Sequence, residues 1–203
     1  MSGFADLLAR ARQLAGTGER RLLGITGPPG AGKSRLAEAL ADRLGPALTV
    51  AVGLDGYHLA DCELRRIGLR ERKGAPETFD RAGYLALLRR LRTEAGTVYA
   101  PAFDRGIEDS IAAAIAVPPE VPLVITEGNY LLFWPEVRPL LDEVWFLAPD
   151  PAARLRALVA RHVAYGKSAT DARHWAQTSD QRNSELVDAG RDRADLVLDW
   201  GDW

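Results

Sequence analysis

Eight consecutive residues, Gly27-Pro28-Pro29-Gly30-Ala31-Gly32-Lys33-Ser34, fit the spacing G-x-x-x-x-G-K-[ST] at every position. Glycines let a loop wrap until its backbone N–H groups point at phosphate oxygens. A helix beginning near Lys33 adds the positive end of its dipole to the same point. Lys33 supplies a full charge toward the β and γ phosphates, and the Ser34 hydroxyl is placed for Mg²⁺. Arg35 follows in the first helical turn, so residues 27–35 form the expected nucleotide cradle. The chain holds 23 Arg and only 3 Lys, so an Arg here says little and a Lys says more. The cradle points to ATP and Mg²⁺.

Two carboxylates stand where a cradle of this kind needs them. Asp55 follows the apolar run Ala47–Leu54, and Glu127 follows Val121–Thr126. In a parallel sheet the carboxyl ends of the strands share the crevice that holds the phosphate loop. Asp55 can therefore accept the proton of a substrate hydroxyl and help hold the metal. The plainer reading is a turn Asp before Gly56. Glu127 can reach Mg²⁺ directly or through water, and its plainer reading is an exposed loop Glu. Tyr57 and His58 then lie at the mouth of the acceptor pocket. Lys73, one of the three lysines, is a candidate for phosphate or substrate. Asp80 reads as the N-cap of the following helix.

The elements that position these residues follow from periodicity. Phe4, Leu7, Leu8, Ala11, Leu14 and Ala15 predict an amphipathic helix stopped by Gly16 and Gly18. Arg21–Thr26 predicts a buried strand, Gly27–Gly32 a loop and Lys33–Leu44 a helix. Ala47–Leu54 predicts a second strand, and Asp55–Asp80 is irregular and too polar to be core. Arg81–Arg92 predicts a helix and Thr97–Phe103 a strand. Ile111–Val117 is a short apolar element of open type. Val121–Thr126, Glu143–Ala148 and Ala194–Trp200 predict strands; Pro151–Tyr165 and Thr170–Ala189 predict helices. Strands alternating with helices imply an α/β fold of three layers, a mostly parallel sheet with helices on both faces. The expected organisation is one P-loop domain over residues 1–203, with a helix in 1–18 and a helical lid over about 150–190. Trp200 and Trp203 either pack on the sheet edge or form a homodimer contact.

Composition narrows the partners. Hydrophobic residues make up 47% of the 203, charged residues 27%, and the formal net charge is −2. That balance gives no reason to expect nucleic acid or an anionic membrane. One cysteine, Cys62, rules out an intramolecular disulfide and a cysteine-based zinc cluster. Asp6, Arg10 and Arg12 interrupt any leader-like apolar start. No uncharged apolar stretch is long enough for a span, and Ile111–Thr126 is cut by Pro118, Pro119, Glu120 and Pro122. The expected location is cytoplasmic. The N-K-x-D pattern of guanine-specific switches is absent.

Five motifs in order carry a resemblance. They are Gly27–Ser34, Leu54–His58 (LDGYH), Arg72–Asp80 (RKGAPETFD), Val98–Asp104 (VYAPAFD) and Thr126–Leu132 (TEGNYLL). Together they resemble the phosphoribulokinase/uridine kinase family of P-loop kinases. Arg72–Asp80 is especially similar to type I pantothenate kinases. The chain also resembles a compact bacterial branch labelled nucleoside/nucleotide kinase-like or fructose-transport-associated kinase. The resemblance implies that Lys33 and Ser34 serve phosphate and Mg²⁺, that Asp55 is the base toward the acceptor hydroxyl, and that Glu127 lies near the metal. It implies that Arg154 and Arg161 belong to an arginine-bearing lid segment. Tyr57, His58, Lys73, Phe103, Asp104, Arg105 and Asn129 are the candidate substrate residues. Asp104-Arg105 stands where type I pantothenate kinases carry a Ser-His pair, and Phe103-Asp104 keeps only the first part of the uridine kinase pattern. The implied activity is Mg·ATP-dependent transfer of the γ-phosphate to a hydroxyl of a nucleoside, sugar or pantothenate-like small molecule. The competing readings are an ATP-binding regulatory module with slow hydrolysis and a nucleoside monophosphate kinase. Lys167, beside a Gly166 hinge, and the polar run Ser179–Asn183 are left unassigned.

Overall fold

A computed structural model describes residues 3–199. The elements in chain order are α1 (Phe4–Ala15), β1 (Arg21–Thr26), α2 (Lys33–Leu44), β2 (Thr49–Gly53), α3 (Asp61–Arg66), α4 (Arg81–Thr93), β3 (Val98–Asp104), β4 (Asp109–Val117), β5 (Leu123–Glu127), β6 (Glu143–Leu147), α5 (Pro151–Ala164), α6 (Ala169–Gln177), α7 (Ser179–Asp188) and β7 (Leu196–Leu198). Five strands form one parallel sheet in the order β2-β5-β1-β6-β7. The expected strands are all present: β1 has the expected bounds, β3 and β5 each start one or two residues later and end one residue later, and β2, β6 and β7 are shorter by one or two residues at an end. Trp200 and Trp203 lie outside the described residues.

The central strands are buried on both sides, as covered parallel strands must be. Alternate side chains face opposite ways. Leu23, Ile25, Leu123, Ile125, Trp145 and Leu147 pack with Leu7 and Ala11 of α1 and Leu36 and Leu40 of α2. Leu22, Val52, Val124, Val144 and Phe146 pack with Tyr84, Leu88 and Leu91 of α4 and with Val187 of α7. The sheet is thus the middle of three layers. Each fully buried Leu or Ile removes enough apolar area from water for about 2 kcal/mol. The apolar stripes of α1, α2 and α4 and the strand runs therefore fix which face each element presents.

Three segments differ from the sequence reading. Asp55–Asp80 is not merely irregular: it holds α3 and short 3₁₀ turns at Leu54–Tyr57, Arg70–Arg72 and Pro76–Thr78. It also contributes Leu64, Ala75 and Phe79 to the buried set. Its few apolar residues lack a helical period, so only packing could select them. Ile111–Val117 is part of β4, which pairs antiparallel with β3 in a separate two-stranded sheet. Its alanines are mostly exposed, and strand pairing rather than local propensity decides its state. Thr170–Ala189 is two helices, broken at Thr178, whose ψ of −77° departs from helical geometry. As expected, Asp80 caps α4, its carboxylate accepting from Gly83 N–H at 2.8 Å.

Candidate active site

The loop between β1 and α2 takes the shape its spacing demands. Gly30 and Gly32 have φ of +81° and +85°, a region that residues with a Cβ rarely enter. Lys33 folds back over the loop, and its Nζ donates to the carbonyls of Gly27 at 3.0 Å and Pro28 at 3.1 Å. The side chain is buried, and burial pulls the ammonium pKa from 10.5 down to about 8 against the pull of Glu127 and Asp55. Among the described residues its hydrogen bonds go only to those two neutral carbonyls, so the carboxylates act on the buried ammonium from a distance and not in contact.

Glu127 closes β5, and its Oε1 accepts from Ser34 Oγ at 3.1 Å. Burial, then the nearby Asp55 charge, raises the Glu127 carboxyl to about 7. Asp55 sits in the 3₁₀ turn that ends β2, where Gly53 pairs in register with Glu127. Parallel register therefore brings Lys33, Ser34, Asp55 and Glu127 to one edge of the sheet. Two carboxylates and a hydroxyl there are hard oxygen donors of the kind Mg²⁺ takes. These residues fit a nucleotide-bound Mg²⁺.

The turn carrying Asp55 is wedged in place. A Cβ on Gly56 would lie 2.5 Å from the Pro101 carbonyl oxygen of β3, so only Gly permits that approach. Below it, Tyr84 OH and Thr126 Oγ1 lie 2.8 Å apart, and Thr126 Oγ1 donates to the Val52 carbonyl at 2.9 Å. This buried chain ties α4, β5 and β2 together directly beneath the carboxylates.

A cavity of about 360 Å³ opens over this edge. Of the expected residues, Pro29, Lys33, Ser34, Asp55, His58, Lys73, Phe103, Arg105, Glu127, Asn129 and Arg161 line it. His58 lies against Phe79 and Phe103, with ring centroids 4.0 and 5.0 Å away and planes tilted by 39° and 48°, and burial lowers its pKa. Arg105 Nη2 donates to Asp55 Oδ2 at 3.0 Å. Lys73 Nζ pairs with Asp61 Oδ1 at 2.6 Å, also reaches the Glu108 carbonyl, and lies 5.4 Å from the Phe103 ring centre.

Other expected residues lie elsewhere. Tyr57 packs against the core, edge-on to Tyr84 at 5.4 Å, rather than along the cavity; burial raises its hydroxyl to about 12. Asp104 accepts from Gly106 N–H at 2.7 Å and shapes its own turn. Arg154 braces the loop from outside: it donates to the Pro29 carbonyl at 3.4 Å, Ser184 Oγ at 2.7 Å and Gln181 Oε1 at 2.8 Å. Arg35 is exposed on the first turn of α2.

Several lining residues escaped the sequence reading. Arg70, Phe79, Glu108, His162, Tyr165 and Trp175 all face the cavity. So do Lys167, Asp180 and Asn183, which lie in the two segments left unassigned. His162 Nε2 lies 2.7 Å from Asp180 Oδ2, Lys167 sits over Trp175 at 4.4 Å, and Asn183 Nδ2 donates to the Gly74 carbonyl at 3.2 Å. The polarity of Ser179–Asn183 on a helix was the available signal. A second cavity of about 880 Å³ shares only Lys73, Phe79 and Asn183 with the first; none of the four edge residues lines it.

None of the models of known protein families matches the chain. A Schizosaccharomyces pombe protein, named provisionally as a uridine kinase, is 31% identical over 98% of this chain and 91% of its own length. The chain belongs to the phosphoribulokinase/uridine kinase-like family of P-loop kinases. A solved structure from Silicibacter sp. TM1040, described provisionally as a fructose transport system kinase, aligns with this P-loop kinase over 98% of this chain and 100% of that one. Its identity is 35% and its TM-score 0.87. The pantothenate kinase of Latilactobacillus sakei is 28% identical over 62% of this chain, which covers 48% of that longer protein. This P-loop kinase is an ATP-dependent phosphotransferase with a hydroxyl acceptor.

Proposed function

We propose that this kinase transfers the γ-phosphate of Mg·ATP to an alcohol of a small molecule bound between Asp55 and the His58–Phe103 wall. The observation that carries this reading is the convergence of Lys33, the Ser34–Glu127 pair and Asp55 at the carboxyl edge of three neighbouring parallel strands. Ser34, Glu127 and Asp55 are the residues that would hold Mg²⁺. When bound, the ion neutralises charge on the phosphate oxygens.

The chain's own part is positioning and charge. Lys33 meets the β and γ phosphates above the loop carbonyls. Asp55 turns from Arg105 to the acceptor hydroxyl, fixes its oxygen toward the γ-phosphorus and takes its proton as the new P–O bond forms and ADP leaves. Arg161 reaches the same space from α5 and offsets developing charge. Arg154 holds α7 and the phosphate loop together. The aromatic wall keeps water from competing as acceptor. Nucleosides, sugars and pantothenate-like alcohols are the acceptor classes for the first screen.

The test is ADP release from Mg·ATP across a panel of hydroxyl compounds. An acceptor should stimulate wild type many-fold. Asp55→Asn should turn over about 10²–10⁴-fold more slowly while still binding ADP. Full turnover by Asp55→Asn would remove the assigned role. Slow hydrolysis that no acceptor accelerates would favour a regulatory module, and phosphorylation of nucleoside monophosphates alone would favour a monophosphate kinase.

A further inference from the structure

The acceptor end of the cavity holds more positive charge than the proposed chemistry uses. Arg105 lies on the turn between β3 and β4. Its guanidinium is placed between the Phe103 ring, 5.7 Å away, and the Tyr165 ring just past α5, 6.0 Å away. Among the described residues, its one hydrogen-bond acceptor is Asp55 Oδ2. A guanidinium carries five N–H donors in a planar fork, so most of the fork remains unspent beside the cavity. Two aromatic neighbours and one carboxylate hold the group in place before substrate arrives, which cuts the entropy cost of binding.

The surroundings point the same way. Lys73, 5.4 Å from the centre of the same Phe103 ring, and Arg70 both pair with the single carboxylate of Asp61, at 2.6 and 2.7 Å. Asp61 also faces Arg65 at 3.5 Å. Arg65 is exposed and outside the cavity wall; of the lining cations, Arg70 and Lys73 share the single Asp61 carboxylate, and Glu108 is the acidic residue beside them on the wall. Asp55, the only carboxylate that pairs with Arg105 among the described residues, is the group that turns to the acceptor hydroxyl in the reading above. A neutral acceptor would leave Arg105 without its counter-charge at the moment of transfer. An anionic acceptor replaces it.

We infer that the acceptor is a compact alcohol bearing a carboxylate or a phosphate ester, and that Arg105 reads this anion. The inference rests on the role proposed for Asp55. Because Arg105 touches Asp55 directly, the anion lies only a few bonds from the reacting hydroxyl. Hydroxy acids and sugar phosphates meet that description; nucleosides do not. Arg fits a carboxylate or phosphate bidentately, which Lys cannot reproduce.

The experiment compares matched pairs: glycerol with glycerate, glucose with gluconate, and ribose with ribose 5-phosphate, with uridine as a neutral nucleoside. The readout is the ratio of kcat/KM for the anionic over the neutral member. Wild type should favour an anionic member at least tenfold. Arg105→Gln should reduce that ratio about 10–100-fold, the range of a charge-assisted contact, chiefly through KM. Arg105→Lys should recover part of it. Calorimetry of the favoured anion binding to the protein with Mg·ADP gives a reading independent of turnover and should show the same loss in Arg105→Gln. Preference for glycerate and gluconate over ribose 5-phosphate would assign the carboxylate; the reverse would assign the phosphate ester. Efficient turnover of uridine or the neutral sugars with no gain for their anionic partners would overturn this inference and leave the kinase reading standing. So would an unchanged ratio in Arg105→Gln. ADP release that no member stimulates, with no anion binding, would overturn both.

Discussion

Replacing Lys33 by Met separates what the phosphate loop does for the ligand from what it does for the fold. Met keeps the length and apolar stem but removes the charge. In the ligand-free protein Lys33 is 8% exposed, and its ammonium hydrogen-bonds only two carbonyls among the described residues. Its pKa falls from 10.5 to about 8. At about 1.4 kcal/mol per pKa unit, burying the charge disfavours the folded state by about 3 kcal/mol near neutrality. The lost hydrogen bonds to Gly27 and Pro28 offset this by about 1 kcal/mol each. The net expectation is that Lys33→Met stabilises the free protein by about 1 kcal/mol, which raises Tm by about 2–4 °C for a domain of this size. The sign carries into pH. Between about pH 8 and 10.5 the unfolded chain binds a proton that the folded chain has released, so wild-type stability rises across that window and is flat with respect to this group below it. Lys33→Met should lack this rise. Saturating Mg·ATP should reverse the order: it stabilises wild type by mass action and leaves Lys33→Met nearly unmoved. Thermal and chemical denaturation from pH 7 to 10.5, with and without nucleotide, measures all three. A ligand-free Lys33→Met that is less stable than wild type and keeps the alkaline rise would refute the account of a costly buried ammonium.

Two further perturbations probe the elements that place the carboxylates. Gly56→Ala puts a methyl 2.5 Å from a backbone oxygen of β3; it should cost about 1–3 kcal/mol in urea unfolding and lower kcat by displacing Asp55, and wild-type values for both would show that the contact is slack. Glu127→Gln should raise the Mg²⁺ concentration for half-maximal activity about tenfold or more. Because burial and the Asp55 charge raise the Glu127 carboxyl to about 7 in the metal-free protein, protons compete with the metal there, and the Mg²⁺ requirement of the wild type should rise as pH falls through that value. A titration in Mg²⁺ at several pH values checks both, and an unchanged Mg²⁺ requirement in Glu127→Gln would remove Glu127 from the metal site.

Much of this protein was legible as local pattern. The phosphate loop reads from eight adjacent positions because its function depends on backbone conformation, which neighbouring residue types control. The sheet strands read as short continuous apolar runs and the main helices from period-3.6 spacing, because a parallel strand is covered on both faces and a helix buries one stripe. Asp55 and Glu127 read because each follows an apolar run, and in a parallel sheet the end of a run is the edge of a crevice. The Asp80 cap needed only three residues of context.

What the tertiary structure decided depends on pieces far apart in the chain. Tyr57 and His58 are neighbours in one motif, yet packing against Tyr84 takes the first into the core while Phe79 and Phe103 hold the second at the cavity. Arg154 and Arg161 lie on one helix, but bonds to Ser184 and Gln181 engage the first in bracing α7 and leave the second lining the cavity. The sequence marks Arg105 only by its place after the Phe103-Asp104 motif; its contacts come from Asp55, fifty residues earlier, and Tyr165, sixty later. Asp180 and Asn183 join the site only because α7 folds back over the loop at residues 73–79. A residue type and its neighbours determine backbone shape and which face is apolar. Which charges meet depends on chain closure over long separations, and that is set by the packing of whole layers.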